Sequence, residues 1–273
     1  MPRSLILASF VLCAAACPAL GGLFKVGVTR EKQVGWQAAA QIENSRDVLV
    51  LRGPAYDLLN EVGQKLVKAS GQSDFEFRFN LVDLESKGER EKIINAFCLP
   101  GGHIYLFRDM QEVIASEDQL AAVLAHEIIH ATDHHWARQQ STDWDRGLLL
   151  LGLGLSGAGG PTLARTVDIA SFAMLKRFSR KHEQSADDLG LGLMAKAGFD
   201  PQGMVQMLEG LARLTKDAPK LMAWESDHPQ LSLRVDRAKR HARELKATVA
   251  APKPSSPRAG ASPLETYAGS KNR

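Results

Sequence analysis

Apolar positions along the chain change their period in a fixed order, and that order predicts helices around a small sheet. From about Thr29 to Ser70 the apolar residues, among them Tyr56, Leu59, Val62, Leu66 and Val67, recur at helical spacing, and Gly71 closes the segment. Phe75 to Leu81 then alternates strictly between apolar and polar, the pattern of a strand with one buried face. Ile93 to Cys98 is a second short strand, Pro100-Gly101-Gly102 a turn, and His103 to Phe107 a third strand. The helical period returns afterwards. Ser116 and Gln119 have the spacing of a capping box, and Leu120, Leu124 and Ile128 form one stripe of a helix from about Glu117 to Trp136. Thr162 to Lys196 reads as one or two further helices stopped by Gly198. Asp200 and Pro201 start the next helix as cap and first position, and a last helix runs from about Pro229 to Leu245.

Three stretches fall outside this scheme. Arg3 followed by the apolar run Leu5 to Ala16 reads as an export signal within residues 1–20, since the run is too short to span a bilayer. Cleavage after the small residues Ala14 to Ala16 releases a soluble protein; alternatively Cys17 becomes a lipid-modified first residue, or the segment stays as an uncleaved anchor. Gly147 to Gly160 is apolar and glycine-rich, which suits a buried helix, a hydrophobic cover or a loop that touches a membrane. Residues 248–273, rich in Pro, Ser, Ala and Gly, are expected to be a disordered tail. The domain proper is then 29–247.

Composition narrows the function. With 34 basic and 31 acidic side chains the net charge of +3 is mild, and no basic stripe with interleaved aromatics is present, so a nucleic-acid partner is excluded. Of three cysteines, Cys13 and Cys17 lie in the signal, which leaves Cys98 without a disulfide framework.

The strongest chemical signal is His126-Glu127-Ile128-Ile129-His130. Residues four apart lie one helical turn apart on one face, so both imidazoles can reach one tetrahedral ion. Glu127 beside them can reach a water on that ion rather than the ion itself, where it acts as general base. A catalytic zinc site needs a third protein ligand and one open position. Glu183 is the leading candidate, with Asp187 one turn on to orient a ligand histidine; His134, His135 and His182 are rivals, and an ordinary charged helix face is the plain alternative.

The two elements together resemble the metallopeptidase family of HtpX, the CAAX prenyl proteases and the Oma-type mitochondrial proteases, the M-forty-eight peptidases, which pair a helical H-E-x-x-H with a later E-x-x-A-D. Here the second element is Glu183-Gln184-Ser185-Ala186-Asp187, with Gly190 following and Ser185 where Glu is more common. Asn95 to Tyr105, Ala197 to Pro201, and His228-Pro229 with Arg234 match further stretches. The resemblance implies a mostly helical α+β zincin-like (minigluzincin) metalloprotease domain with a small sheet beside the active helix. It implies one zinc ion held by His126, His130 and Glu183, with Asp187 as outer acid. It also implies that an edge within Asn95 to Phe107 holds an extended peptide. His228 and Arg234 are expected at the active site. Arg234 is the candidate for stabilising the oxyanion, and His228 either a second donor or a group that blocks the zinc in a latent form.

The expected function is therefore a zinc-dependent endopeptidase of the periplasm or cell envelope, acting on misfolded or damaged polypeptides, with membrane association through Cys17 or residues 147–160. The alternative from another class is a chaperone-like or binding factor whose metal is structural. An amidase is a third reading, disfavoured by the peptide-holding strand. Intact Glu127 favours the enzyme, because a structural zinc needs no general base.

Overall fold

The computed structural model describes residues 26–45, 48–84, 92–140, 178–217, 224 and 228–248. The export signal of residues 1–20, the apolar segment 147–160 and the tail from 249 lie outside the described residues. Among the described residues no helix is long and apolar enough to cross a membrane.

The segment expected to be helical from Thr29 to Ser70 is broken. Helix α1 (Val28–Glu43) and helix α2 (Pro54–Ser70) flank strand β1 (Val48–Leu51). Asn44 ends α1, the run Val-Leu-Val-Leu favours an extended backbone, and Pro54 opens α2 at a position that tolerates a missing N–H. Strand β2 is Arg78–Leu84, β3 is Ala96–Leu99 and β4 is His103–Phe107. The alternation read at Phe75 to Leu81 is real in burial, since Phe75, Phe77, Phe79 and Leu81 are all buried. The ladder itself starts only at Arg78, where the chain meets His103 of β4.

The sheet order is β1-β2-β4-β3, with β2 and β4 parallel and the outer pairs antiparallel. A sheet covered on both faces explains why His103-Ile104-Tyr105-Leu106-Phe107 lacks alternation. Ile104 and Leu106 join the main helical core, whereas Tyr105 and Phe107 pack with Ala38, Ala39 and Ile42 of α1 on the opposite face. Only the Ala96–Leu99 part of the expected peptide-holding segment is an edge; β4 is interior.

Gly35 lets α1 lie directly against the turn between β3 and β4. A Cβ there would stand 1.5 Å from the carbonyl oxygen of Pro100. Gly35→Ala is therefore expected to push α1 off that turn and cost about 1–3 kcal/mol in urea unfolding, the range for overpacking a well-filled site.

Helix α3 (Glu117–Thr132) lies against α2, β3, helix α4 (Arg180–Ala197) and helix α5 (Gln202–Asp217). Leu120, Leu124 and Ile128 are fully buried as their stripe predicts, but so are Ala121, Ala122, Val123 and Ala125, so α3 is enclosed rather than one-sided. It stops at Thr132, four residues before the expected Trp136. His134 takes φ 50°, and a new helical stretch runs over 135–140. Gly198 stops α4 with a left-handed φ of 83°, and Asp200 Oδ1 accepts from Gln202 N at 2.9 Å to cap α5. Helix α6 (Leu231–Thr248) begins two residues after Pro229 and includes Thr248, the first residue assigned to the tail.

Candidate active site

Ser116 starts α3 by accepting from Gln119 N at 3.2 Å, while Gln119 Oε1 accepts from Ala115 N, so the capping box reaches one residue further back than its usual form. This cap sets the phase that brings His126, Glu127 and His130 into the interior, all 3% exposed or less. The Nε2 atoms of His126 and His130 lie 3.0 Å apart. Ser179 caps α4 through His182 N, and one turn later Glu183 meets both rings, each carboxylate oxygen 3.5 Å from one Nε2. Gly190 lies where α4 meets α3: a Cβ there would lie 3.5 Å from His126 N and 3.2 Å from Met204 Cε.

Asp187 sits behind the cluster, its Oδ1 3.0 Å from His126 Nδ1. In the neutral ring, the form that can bind a cation, an N–H on Nδ1 donates to that carboxylate and leaves the Nε2 lone pair facing His130 and Glu183. His228 closes the group. Its Nδ1 lies 3.1 and 3.2 Å from the two Glu183 oxygens and 3.2 Å from His126 Nε2. Trp224 stacks on His228 at 4.3 Å between ring centroids and Phe178 stacks on His130 at 4.0 Å. Neither aromatic was anticipated from the sequence, where nothing marks an isolated Trp or Phe as a wall of a distant site.

Arg234 turns its guanidinium toward the buried carboxylates. Its Nε donates to Asp187 Oδ2 at 2.7 Å, Nη2 donates to Asp187 Oδ1 at 2.8 Å, and Nη1 lies 2.8 Å from Glu183 Oε2 and donates to the His228 carbonyl. Four of its five N–H groups face these acceptors, so it lies as the counter-charge to two buried carboxylates. Burial alone would raise the Glu183 pKa, but the charges of His228 and Arg234 hold it well below the usual carboxylate range. Burial lowers His126, yet hydrogen bonds to Asp187 and Glu183 outweigh it and push its pKa up to about 9.

His126, His130, Glu183 and His228 each offer an atom, all within 4.8 Å of one another. Two ring nitrogens 3.0 Å apart with a carboxylate oxygen 3.5 Å from each gather lone pairs that a shared proton or a bound cation can hold together. Imidazole nitrogens with one carboxylate are the donor set of a catalytic divalent ion, so these residues fit a metal. The rivals are elsewhere: His134 Nδ1 faces Glu31 Oε2 at 2.5 Å, His135 lies behind His130, and His182 stacks on His135.

The model of peptidase family M48 matches residues 57–242. The chain belongs to peptidase family M48. Its fold class is accordingly the zincin-like α+β arrangement, mostly helical with four strands beside α3. The family chain is 32% identical over 181 residues to the mitochondrial metalloendopeptidase OMA1 of Schizosaccharomyces pombe, covering 65% of this chain and 50% of the relative. It is 29% identical over 238 residues to the beta-barrel assembly-enhancing protease of Escherichia coli K12, covering 82% of this chain and 46% of the relative. OMA1 of Arabidopsis thaliana is 39% identical over 140 residues, 51% of this chain and 27% of that protein. The chain thus spans about half the length, or less, of the curated relatives it matches.

Proposed function

We propose that this M48 chain is a zinc-dependent endopeptidase that cleaves misfolded or damaged polypeptides of the cell envelope. The observation that carries the reading is the convergence of His126, His130 and Glu183 with Glu127 buried beside them. In this reading those three residues hold the zinc ion, which when bound supplies Lewis acidity, making water a stronger acid and polarising the scissile carbonyl. Glu127 takes the proton from the attacking water on its carboxylate and returns it to the leaving amine. Asp187 holds the His126 ring, and Arg234 balances the charge of Asp187 and Glu183. In this reading β3, the outer strand on the β4 side of the sheet, would hold an extended substrate by main-chain hydrogen bonds.

His228 supports a latent form. With His228 beside His126, His130 and Glu183, a fourth protein donor would take the position that a catalytic site keeps open, and His228 would have to withdraw for substrate to enter. His228→Ala is expected to retain stoichiometric zinc and to cleave unfolded casein faster than the parent, with the gain in kcat/KM.

Export to the periplasm or envelope, and association with a membrane through Cys17 or residues 147–160, are part of this proposal; relatives named for barrel assembly in Escherichia coli and for mitochondria in fungi and plants support an envelope or membrane setting. A chaperone-like factor with a structural metal is the weaker reading, since it leaves the buried Glu127 without a task. The test is casein cleavage, read by mass spectrometry as new peptide termini. Cleavage should vanish with a chelator and return with added zinc. Binding of casein without any new terminus would establish the binding factor instead.

A further inference from the structure

His135 is fully buried and lies against the metal-binding group without joining it. Its Nδ1 stands 3.0 Å from Nδ1 of His130, the nitrogen that faces away from the cluster, and its Nε2 stands 3.0 Å from Asp133 Oδ2. The same Asp133 oxygen accepts from Ser185 Oγ at 3.0 Å and from Arg138 Nη1 at 3.2 Å. His182 stacks on the outer face of the His135 ring at 4.5 Å and 16°. These contacts cross from the end of α3 to α4, so they tie together the two helices that carry the ligands.

The protons in this chain of groups have one consistent arrangement. A neutral imidazole bears a single N–H. With the Nε2 lone pair of His130 turned toward Glu183 and His126, its proton lies on Nδ1. That N–H needs an acceptor, and the facing atom is His135 Nδ1, which must then present a lone pair. The His135 proton is consequently on Nε2, where it donates to Asp133. Spacing in sequence works against this contact. On an uninterrupted helix a residue five positions on from His130 points about 140° away from it. The end of α3 at Thr132 and the positive φ of His134 turn the chain so that His135 returns to the same side.

We infer that His135, anchored by Asp133 and Ser185, is a positioning residue that fixes the tautomer and ring orientation of His130 for metal binding. The inference rests on the reading of His130 as a ligand. It assigns Ser185 a purpose: its hydroxyl donates to Asp133, where a Glu at the same place would bring a second negative charge.

Zinc affinity of the full chain, measured by competition with a chromophoric chelator, tests it. His135→Phe keeps the ring volume and removes the acceptor; it should weaken zinc binding about 10- to 100-fold, the usual effect of losing such a partner. His135→Gln, whose Oε1 can accept from His130 Nδ1, should bind zinc close to the parent value. Asp133→Ala, at a partly exposed position, probes the outer end of the relay and should weaken zinc several-fold even where His135→Phe does not fold. The inference is overturned by His135→Phe binding as tightly as the parent, by Phe and Gln losing affinity equally, or by an unchanged Asp133→Ala. Failure of the parent to bind zinc is a separate outcome, which removes the reading of His130 as a ligand.

Discussion

Glu127→Gln is expected to lower kcat/KM on casein by about 10²- to 10⁴-fold while leaving the zinc content at one ion per chain, the range assigned to a positioned general base. Glu127 is fully buried, its Oε1 is 3.6 Å from His228 Nε2, and it is not among the atoms that converge to hold a cation. Gln has almost the same shape, so packing is preserved and only the ability to take a proton is lost. Zinc content by atomic emission and cleavage rate on the same preparation separate the two functions. A variant that keeps a rate within tenfold of the parent removes Glu127 from the chemistry, and one that loses its zinc makes it a ligand.

The second large effect belongs to stability. Arg234→Ala should destabilise the chain by about 3–5 kcal/mol in urea unfolding, the range for removing one partner from a buried ionic group. Arg234, Asp187 and Glu183 are all 3% exposed or less, and the guanidinium touches both carboxylates. Arg234→Lys should recover part of the loss, since an ammonium is a point charge that cannot form the paired contact to Asp187 while reaching Glu183. A loss below about 1 kcal/mol for Ala would place Arg234 among weakly coupled surface pairs. An Arg234→Lys chain of full stability but sharply reduced kcat would assign Arg234 the oxyanion role expected from sequence.

His126, Glu127 and His130 were legible because one helical turn is a local rule, and a capped helix carries that rule without help from the rest of the chain. Glu183 was less so. Its spacing to Asp187 suits a ligand and an outer carboxylate, but spacing alone left His134, His135 and His182 as rivals, and the family likeness made the choice. Arg234 could be assigned to the site but not to a side of it: its direction depends on how α6 crosses α4, which no local pattern records. β1 escaped notice because four residues between two helically spaced runs are too few to establish a period. The relay through His135 was hidden for a related reason. It depends on a break at His134, a residue that rarely signals positive φ, so the sequence read as one helix to Trp136. Among described elements, the central strand His103 to Phe107 was read with its correct limits because its burial on both faces makes it a continuous apolar run.

The outer strand β3 has only four residues, Ala96 to Leu99, and one side of each ladder is already taken by β4. Alternate residues along a strand turn their amide and carbonyl to the same side, so if β3 holds substrate as proposed, about two of its residues would grip the visiting chain. At about 1 kcal/mol net per bond, such a grip is loose and blind to sequence. A folded protein, whose own backbone groups are already satisfied, gains nothing from it; a slack segment does. Selection of damaged chains over intact ones would then follow from the shortness of this ledge, without any pocket that recognises damage.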